Sequence, residues 1–348
     1  MGADSVVVLG AVMLAALTAY AVLAGADFGG GIWDLLASGP TRDDQRRAIA
    51  QAIEPVWEAN HVWLIFIAVI LFTAFPPAFA ALCIAGFGPF HVALIGIILR
   101  GSAFVFRNYS GDRSGAWQTW ASVFGAASVV TPFLMGTMLG AASSGGIRVT
   151  GATVSTDPLH AWFSPVSLTI GALALALCAY LAAVYITLET EGAVQEAFRR
   201  RALGSGAIVA LLALLLLPLT ANYSPLLWQH LSRPQSFLPM LTGAVLAVLS
   251  AWALLRRRYV LARLSAVAEV VIVLWGWAFG QWPYLIYPDL TAYGSVSPAP
   301  TVRFVLRALP FGFALLLPSL WFLFSVFKSR RTGPPNEPLP TGRPQSDG

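Results

Sequence analysis

Residues 5–26 read SVVVLGAVMLAALTAYAVLAGA, a run without a single charged side chain. A helix needs about 20 mostly apolar residues to cross a bilayer, so this run is long enough to span. A cleaved signal peptide would carry basic residues before its apolar segment. This chain has Asp4 there and no basic residue, which predicts that the run is retained as the first membrane helix.

The composition of the whole chain agrees with that interpretation. Of its 348 residues, 57% are hydrophobic and 11% are charged, and the mean hydropathy is +0.72. A soluble domain carries roughly 25% charged residues. The composition therefore excludes a cytoplasmic globular enzyme, a disordered protein and a nucleic-acid binder.

Eight further apolar segments follow, which predicts an all-α membrane domain over residues 1–328 with nine transmembrane helices. The tail 329–348 is polar and rich in Pro and Gly, and we expect it to be disordered and cytoplasmic. A Phe75-Pro76-Pro77 corner separates the second span from the third. The expected spans are residues 5–26, 56–75, 78–104, 117–141, 162–187, 205–222, 236–255, 264–284 and 303–327.

The basic residues predict the orientation of these spans. Sixteen of the 21 Lys and Arg residues fall in alternate loops and in the tail. Because basic loops stay in the cytoplasm, the N-terminus is expected outside and the C-terminus inside. One of these loops, residues 41–53, has a helical pattern with a stripe at Ile49 and Ile53. A solvated loop helix is favoured there over an interfacial one.

Ionisable side chains within or at the ends of the predicted spans gather toward the cytoplasmic side. Such residues are costly in a membrane and are candidates for function. Carboxylates and an imidazole on one helix face can relay protons, and Arg100 could pair with Asp27 or Glu58 and hold it ionised. Each residue alone is better explained by helix capping or packing, whereas the cluster as a whole favours proton transfer. The group comprises Asp27, Glu58, His61, Arg100, Glu189, Glu191 and Glu269.

Two other interpretations remain open at this point. A secondary transporter would suit the number of spans, but its polar residues would lie near the midplane. A haem b anchor would need facing axial ligands. His61 and His91 are the histidines within spans, and their expected depths differ by roughly 10 Å at helical rise.

The Gly29-Gly30-Gly31 run is explained by close helix approach rather than by phosphate binding.

Two N-terminal segments carry a family resemblance. Gly25-Ala26-Asp27-Phe28-Gly29-Gly30-Gly31 resembles the G-F-D-x-G-x-G element of subunit II of cytochrome bd-type quinol oxidases. Pro55 to Leu64, with Trp57, Glu58 and Asn60, resembles its P-x-W-[DE]-x-N-x-x-W-L element. Arg100 to Arg107 and Tyr185 to Gly192, which contains Glu191, resemble two further segments.

This chain departs from many relatives in two places. It has Glu58-Ala59 where they have Asp-Gly after the motif tryptophan, and it has His61 where they have Gln or Glu. A proton-carrying role for His61 is therefore a prediction from this sequence and is not transferred from the family.

The resemblance implies two four-helix bundles with one peripheral helix, in the bacterial cytoplasmic membrane. It implies a heterodimer with a haem-carrying subunit I, which ligates two b haems and haem d, so that this chain ligates no cofactor or metal. The complex would oxidise quinol and reduce dioxygen to water, with this subunit lining part of a proton route. Glu58 is the matched acid of that route, His61 and Asp27 are further candidates, and Trp57, Asn60, Arg100 and Glu191 are structural motif positions. A structural quinone, membrane lipid, quinol and a small single-helix accessory subunit are candidate companions.

Overall fold

The computed structural model describes residues 3–109, 115–151, 153–157 and 160–330, and within α2 it leaves the side chains of residues 53–58 undescribed. The expected tail 329–348 thus lies outside the described residues from position 331 onward. Helices dominate the described part. They are α1 Ala3–Leu35, α2 Arg42–Ala74, α3 Pro76–Ala85, α4 Phe87–Tyr109, α5 Gly115–Ser144, α6 Pro165–Glu189, α7 Gly192–Tyr223, α8 Pro225–Leu231, α9 Pro234–Leu255, α10 Tyr259–Gln281, α11 Ala292–Ser295 and α12 Ala299–Arg330.

Among the described residues, eight helices are long and apolar enough to cross a membrane, and a bent pair raises the number to nine. The bent pair joins residues 59–74 of α2 to α3 at an angle of 118°. This bend lies at the Phe75-Pro76-Pro77 corner between the second and third expected spans, whereas the expected span 78–104 is divided at Gly86 into α3 and α4. Two prolines at the first turn of α3 force the break, because neither can donate a backbone hydrogen bond to the preceding helix. The third long apolar helix begins at Phe87.

Two small β-hairpins interrupt the all-α pattern, and the sequence analysis treated both as loops. Strand β1 (Ile147–Thr150) pairs with β2 (Thr153–Thr156), and β3 (Tyr284–Ile286) pairs with β4 (Leu290–Thr291). The two hairpins are joined by Arg148, whose Nε donates to Asp289 Oδ2 at 2.8 Å. The hydrogen bond from Arg148 and that from the Val149 N–H hold the pKa of Asp289 below its usual value.

Helix α1 packs against α2, α5 and α6, and its glycines allow the contact. A Cβ atom at Gly29 would lie 1.9 Å from the backbone oxygen of Cys178 on α6. One at Gly31 would lie 2.0 Å from Ser128 Oγ on α5. Both distances are far below van der Waals contact. The prediction that this run serves close helix approach is confirmed.

The segment 41–53 is neither a separate nor a solvated helix. It forms the first turns of α2, which continues unbroken to Ala74. Its inner face is buried, with Gln45 3% and Ile49 2% exposed. The Gln45 amide donates to Thr41 Oγ1 at 2.8 Å and to the Ser38 oxygen at 3.2 Å. These contacts replace the solvent that the sequence analysis expected around this segment.

Most arginines of the predicted cytoplasmic loops meet at one end of the helices, which we call the arginine-rich end. Arg46 and Arg107 both contact the carboxylate of Asp34, and Arg257 contacts Glu196. The end is defined by Arg42, Arg46, Arg47, Arg107, Arg199, Arg200, Arg201, Arg256, Arg257 and Arg258.

The chain forms two compact units, one that ends at Leu306 and one that begins at Arg307. The described part of the second unit, up to Arg330, is a continuous helical segment. Its large apolar side chains are exposed, including Phe311 and Trp321 at 78% and 73%. Exposure of this kind is typical of a helix that faces lipid.

Candidate functional site

A fully buried ion pair lies between α1 and α4. Asp27 is 0% and Arg100 1% exposed. The Arg100 guanidinium binds both carboxylate oxygens, with NH1 to Oδ2 at 2.6 Å and NH2 to Oδ1 at 2.5 Å. The same NH2 donates to the Asp27 backbone oxygen at 2.9 Å. This fork-to-fork geometry is the strongest that arginine offers a carboxylate. The sequence analysis left open whether Arg100 pairs with Asp27 or Glu58, and Asp27 is the observed partner.

Two further polar side chains complete what we call the Asp27 cluster: Asp27, Arg100, Asn60 and Ser128. The Asn60 amide donates to Asp27 Oδ2 at 2.6 Å and so ties α2 to the pair. Arg100 Nε donates to Ser128 Oγ at 2.9 Å, which ties α5. Four helices therefore meet at one ion pair, with Asn60 bound to its carboxylate and Ser128 to its guanidinium. A buried charge is tolerated only when it is paired and hydrogen-bonded, and this arrangement supplies both conditions for Asp27 and Arg100.

Aromatic rings enclose the guanidinium. The Arg100 Cζ atom lies 4.9 Å from the ring centre of Phe28 and 4.6 Å from that of Phe124. A cation over a ring face gains electrostatic attraction and is shielded from water. The rings thus strengthen the ion pair by lowering the local dielectric.

A second ion pair repeats the first one seven residues further along both helices. Arg107 donates from NH1 to Asp34 Oδ2 at 2.7 Å and from NH2 to Oδ1 at 3.1 Å. Asp34 follows Asp27 by the same number of residues as Arg107 follows Arg100. The equal offsets show that α1 and α4 run parallel at this level, with two helical turns between the pairs.

The second pair extends to α2 at the arginine-rich end. Arg46 Nε lies 3.6 Å from Asp34 Oδ1, and its guanidinium lies 5.0 Å from the Trp117 ring centre. Burial lowers the pKa of the Arg46 guanidinium, and the neighbouring Asp34 opposes that shift. One carboxylate thus balances two guanidinium groups, which leaves this level positively charged.

The structure places the predicted site residues unequally. The side chains of Trp57 and Glu58 fall outside the described residues, although the backbone of α2 runs through both. His61 is half-buried on α2, one position after Asn60. Glu191 is exposed and stands before the first turn of α7, without a side-chain capping bond.

Glu269 lies deeper than the sequence analysis expected. Helix α10 begins at Tyr259, directly after the last arginine of the α9–α10 turn, rather than at residue 264. Glu269 therefore stands about 15 Å along the helix from its start, at 1.5 Å per residue. It is close to the middle of α10 and is not in its first turns.

Asp34, Arg107 and Ser128 were missed as members of the site. The seven-residue offset that repeats the first pair is present in the sequence, but it has meaning only once α1 and α4 are known to run parallel. Ser128 carries no charge and no motif, so hydropathy could not distinguish it from other small residues in α5.

The part of the chain that the structure describes has no group of three His, Cys, Asp or Glu side chains suited to a metal ion. His91 is exposed and its Nδ1 lies 2.6 Å from the Phe87 backbone oxygen. His160 Nδ1 lies 2.5 Å from the Asp157 carboxylate. The Nδ1 atoms of His91 and His160 are thus each directed to a neighbour on the same stretch of chain.

Comparison with known proteins identifies the family. The model of the cytochrome bd terminal oxidase subunit II family matches residues 6–327. The chain belongs to this family. It is accordingly a multi-pass membrane subunit of a bd-type quinol oxidase, an oxidoreductase complex, and it has a subunit I partner. The comparisons give no support to the transporter alternative.

One curated relative and one solved structure match most of the chain, and a second relative matches about half of it. A Bacillus subtilis protein, provisionally named as a cytochrome bd menaquinol oxidase subunit II, is 24% identical over 321 residues, which cover 88% of this chain and 91% of the relative. The B. subtilis cytochrome bd ubiquinol oxidase subunit 2 is 29% identical over 163 residues, 45% of this chain and 46% of that protein. The solved bd oxidase of Geobacillus thermodenitrificans shares the fold, with a TM-score of 0.78, 24% identity, and coverage of 93% of this chain and 98% of that one.

Proposed function

We propose that this chain is the subunit II that ligates no haem and lines part of the proton uptake route of a bd-type oxidase in the bacterial cytoplasmic membrane. The two b haems and haem d are assigned to subunit I. The N-terminus is placed outside and the arginine-rich end in the cytoplasm. The helices α1, α2, α4 and α5 would form one four-helix bundle, α6, α7, α9 and α10 the other, and α12 the peripheral helix.

The observation that carries the proton route is the Asp27 cluster. Dioxygen reduction to water consumes protons, and a route through a membrane helix bundle needs ionisable groups held at defined depths. Asp27 stands roughly 12 Å before the end of α1 at helical rise. The hydrogen bond from Asn60 to Asp27 holds this turn of α2 in place, and His61 is the next residue on the helix.

Within this route, Glu58 and His61 are the groups that exchange protons. They are three residues apart on α2, and helical periodicity puts that spacing on one face. A carboxyl and an imidazole can each alternate between donor and acceptor. Asp27 is the fixed member of the route, because its hydrogen bonds with Arg100 and Asn60 hold it in place and position the α2 turn.

Replacing Glu58 tests the proposal. Glu58→Ala, in an assembled complex with its full haem content, is expected to lower the oxygen-consumption rate sharply, and Glu58→Asp is expected to retain most of it. Asp44→Asn, at an exposed ion pair with Arg47 on the same helix, is the matched control and should leave the rate unchanged. Undiminished turnover of Glu58→Ala would remove that residue from the route.

A second arm tests His61. His61→Gln is expected to shift the pH profile of turnover, because an imidazole that can take up and release a proton is replaced by an amide that cannot. An unchanged profile together with a normal rate would limit His61 to a structural role.

A further inference from the structure

A second buried carboxyl lies away from the Asp27 cluster, in the middle of α10. Glu269 is 6% exposed, and its Oε2 atom has no hydrogen-bond partner among the described residues. No described Lys or Arg forms an ion pair with it. The proton route proposed above does not use it.

The surroundings of Glu269 are opposite to those of Asp27. Asp27 receives a guanidinium and an amide, whereas the described titratable side chain that interacts with Glu269 is the neutral Tyr180. An ionised carboxylate without a counterion is expensive to bury, and such a group takes up a proton instead. The site is therefore built for a carboxylic acid.

The direction of the neighbouring hydrogen bonds supports the same charge state. The Tyr180 hydroxyl donates its proton to Ser250 Oγ at 2.5 Å, and Ser250 Oγ donates to the Ala262 oxygen at 3.3 Å. While this proton is donated to Ser250, the Tyr180 oxygen keeps lone pairs that can accept a hydrogen bond from a protonated Glu269.

We propose that Glu269 is an internal proton-binding site that is neutral at rest and exchanges its proton with water at the arginine-rich end, through the hydroxyls of Tyr180 and Ser250. Along this row each transfer breaks one O–H bond and forms one O–H bond, and water supplies the replacing proton. The inference rests on the proposed function only for the use of such a proton in dioxygen reduction.

A further serine lies beside this row, nearer to the arginine-rich end. Ser265 lies one turn before Glu269 on α10 and is 3% exposed. Its Oγ contacts the Ala262 oxygen at 3.1 Å, the same atom that Ser250 reaches. Three hydroxyls thus occupy the space between the carboxyl and the start of α10, in a region that is otherwise apolar.

Infrared difference spectroscopy of the whole purified complex tests the proposal. The complex is perfused with H2O and then D2O, and the carbonyl stretch of protonated carboxylic acids is recorded. The wild type is expected to show a band that moves to lower frequency in D2O and that is lost in Glu269→Gln. Because the substitution replaces one neutral group by another of the same shape, haem content and assembly should be retained.

Tyr180→Phe provides a second measurement that keeps Glu269 in place. Removal of the hydroxyl is expected to raise the frequency of the Glu269 band, because its hydrogen bond is lost, without removing the band. This variant also tests the proposal should Glu269→Gln fail to assemble.

Three results would overturn the inference: identical spectra of the wild type and Glu269→Gln, loss of an ionised-carboxylate band instead, or a Glu269 band that does not move in D2O. Failure of the proposed function is separable from these outcomes. Glu58→Ala is expected to lose turnover and to keep the Glu269 band, so the two variants report on different groups.

Discussion

The buried pair of Asp27 and Arg100 gives the sharpest prediction about the stability of this subunit. Arg100→Met removes the guanidinium and leaves the Asp27 carboxylate buried with the Asn60 amide as its remaining described side-chain partner. Breaking a buried pair from one side costs about 3–5 kcal/mol, because an uncompensated charge is left behind. At 1.4 kcal/mol per tenfold change, the lower value corresponds to a factor of roughly 100 in the unfolding equilibrium.

The double variant separates the pair from its surroundings. Asp27→Asn alone leaves the Arg100 charge unmatched and is expected to cost a similar amount. Asp27→Asn combined with Arg100→Met leaves no buried charge, so the loss should fall short of the sum of the single variants by about 1–3 kcal/mol. Asn at position 27 can still accept the hydrogen bond from Asn60.

Equilibrium unfolding of the purified complex in mixed detergent micelles, followed by tryptophan fluorescence, measures these differences. The matched control is Arg47→Met, which removes an i,i+3 pair with Asp44 whose two side chains are 73% and 54% exposed. Exposed pairs contribute about 0–1 kcal/mol, so this control should be nearly neutral.

A loss of less than about 1 kcal/mol in the free energy of unfolding of Arg100→Met would refute the reasoning. An exposed ion pair, such as the Arg47–Asp44 control pair, already contributes up to that amount. The reasoning would also be refuted if the double variant lost as much unfolding free energy as the two single variants together. Such additivity would mean that the two charges do not stabilise one another despite their bidentate geometry.

Three further results are expected. Gly29→Ala should prevent α1 from approaching Cys178 and lower the yield of assembled complex, whereas the same change at the exposed Gly204, which has no neighbouring atom within 4 Å of an added Cβ, should not. The pKa of Asp289 in the folded protein is lowered, chiefly by Arg148. The ionised Asp289 therefore stabilises the folded state at pH values above its unfolded pKa of about 3.9. This stabilisation is lost as the pH falls through the folded-state pKa. Hydrogen exchange in the first hairpin should accelerate over that acidic range, and Asp289→Asn should abolish the pH dependence. Trp33→Phe removes the indole hydrogen bond of 2.7 Å to a backbone oxygen of α6 and should cost about 1 kcal/mol in unfolding.

The membrane helices and the tight approach at Gly29 could be predicted from sequence, because both depend on local features. Apolar length identifies a span without knowledge of its neighbours, and small residues in a row indicate close packing wherever the partner lies. Asp27 and Arg100 were also identified as candidates, since charge within an apolar run is conspicuous. Their pairing was left open because it depends on the positions of α1, α2 and α4 relative to one another.

The features that were missed depend on tertiary contacts. The segment 41–53 was assigned to solvent on its many polar residues, yet Gln45 and Ile49 are buried because α2 continues through it. The two hairpins have short strands with weak patterns of hydropathy. The ion pair that joins them, between Arg148 and Asp289, links residues 141 positions apart in sequence. The ion pair of Asp34 with Arg107 lies at a helix end, where charges are ordinary, so its burial could not be anticipated.

The surroundings of the buried carboxyls point to two different roles within the subunit. The bidentate ion pairs of Asp27 with Arg100 and of Asp34 with Arg107 hold α1 and α4 in register. Glu269 has no such partner among the described residues, and we propose that it is neutral at rest and passes its proton to the neighbouring hydroxyls. Glu58 and His61 are the proposed proton carriers on α2. Variants of Arg100 are therefore expected to act mainly on assembly, whereas variants of Glu58 are expected to act on turnover in a complex that assembles normally.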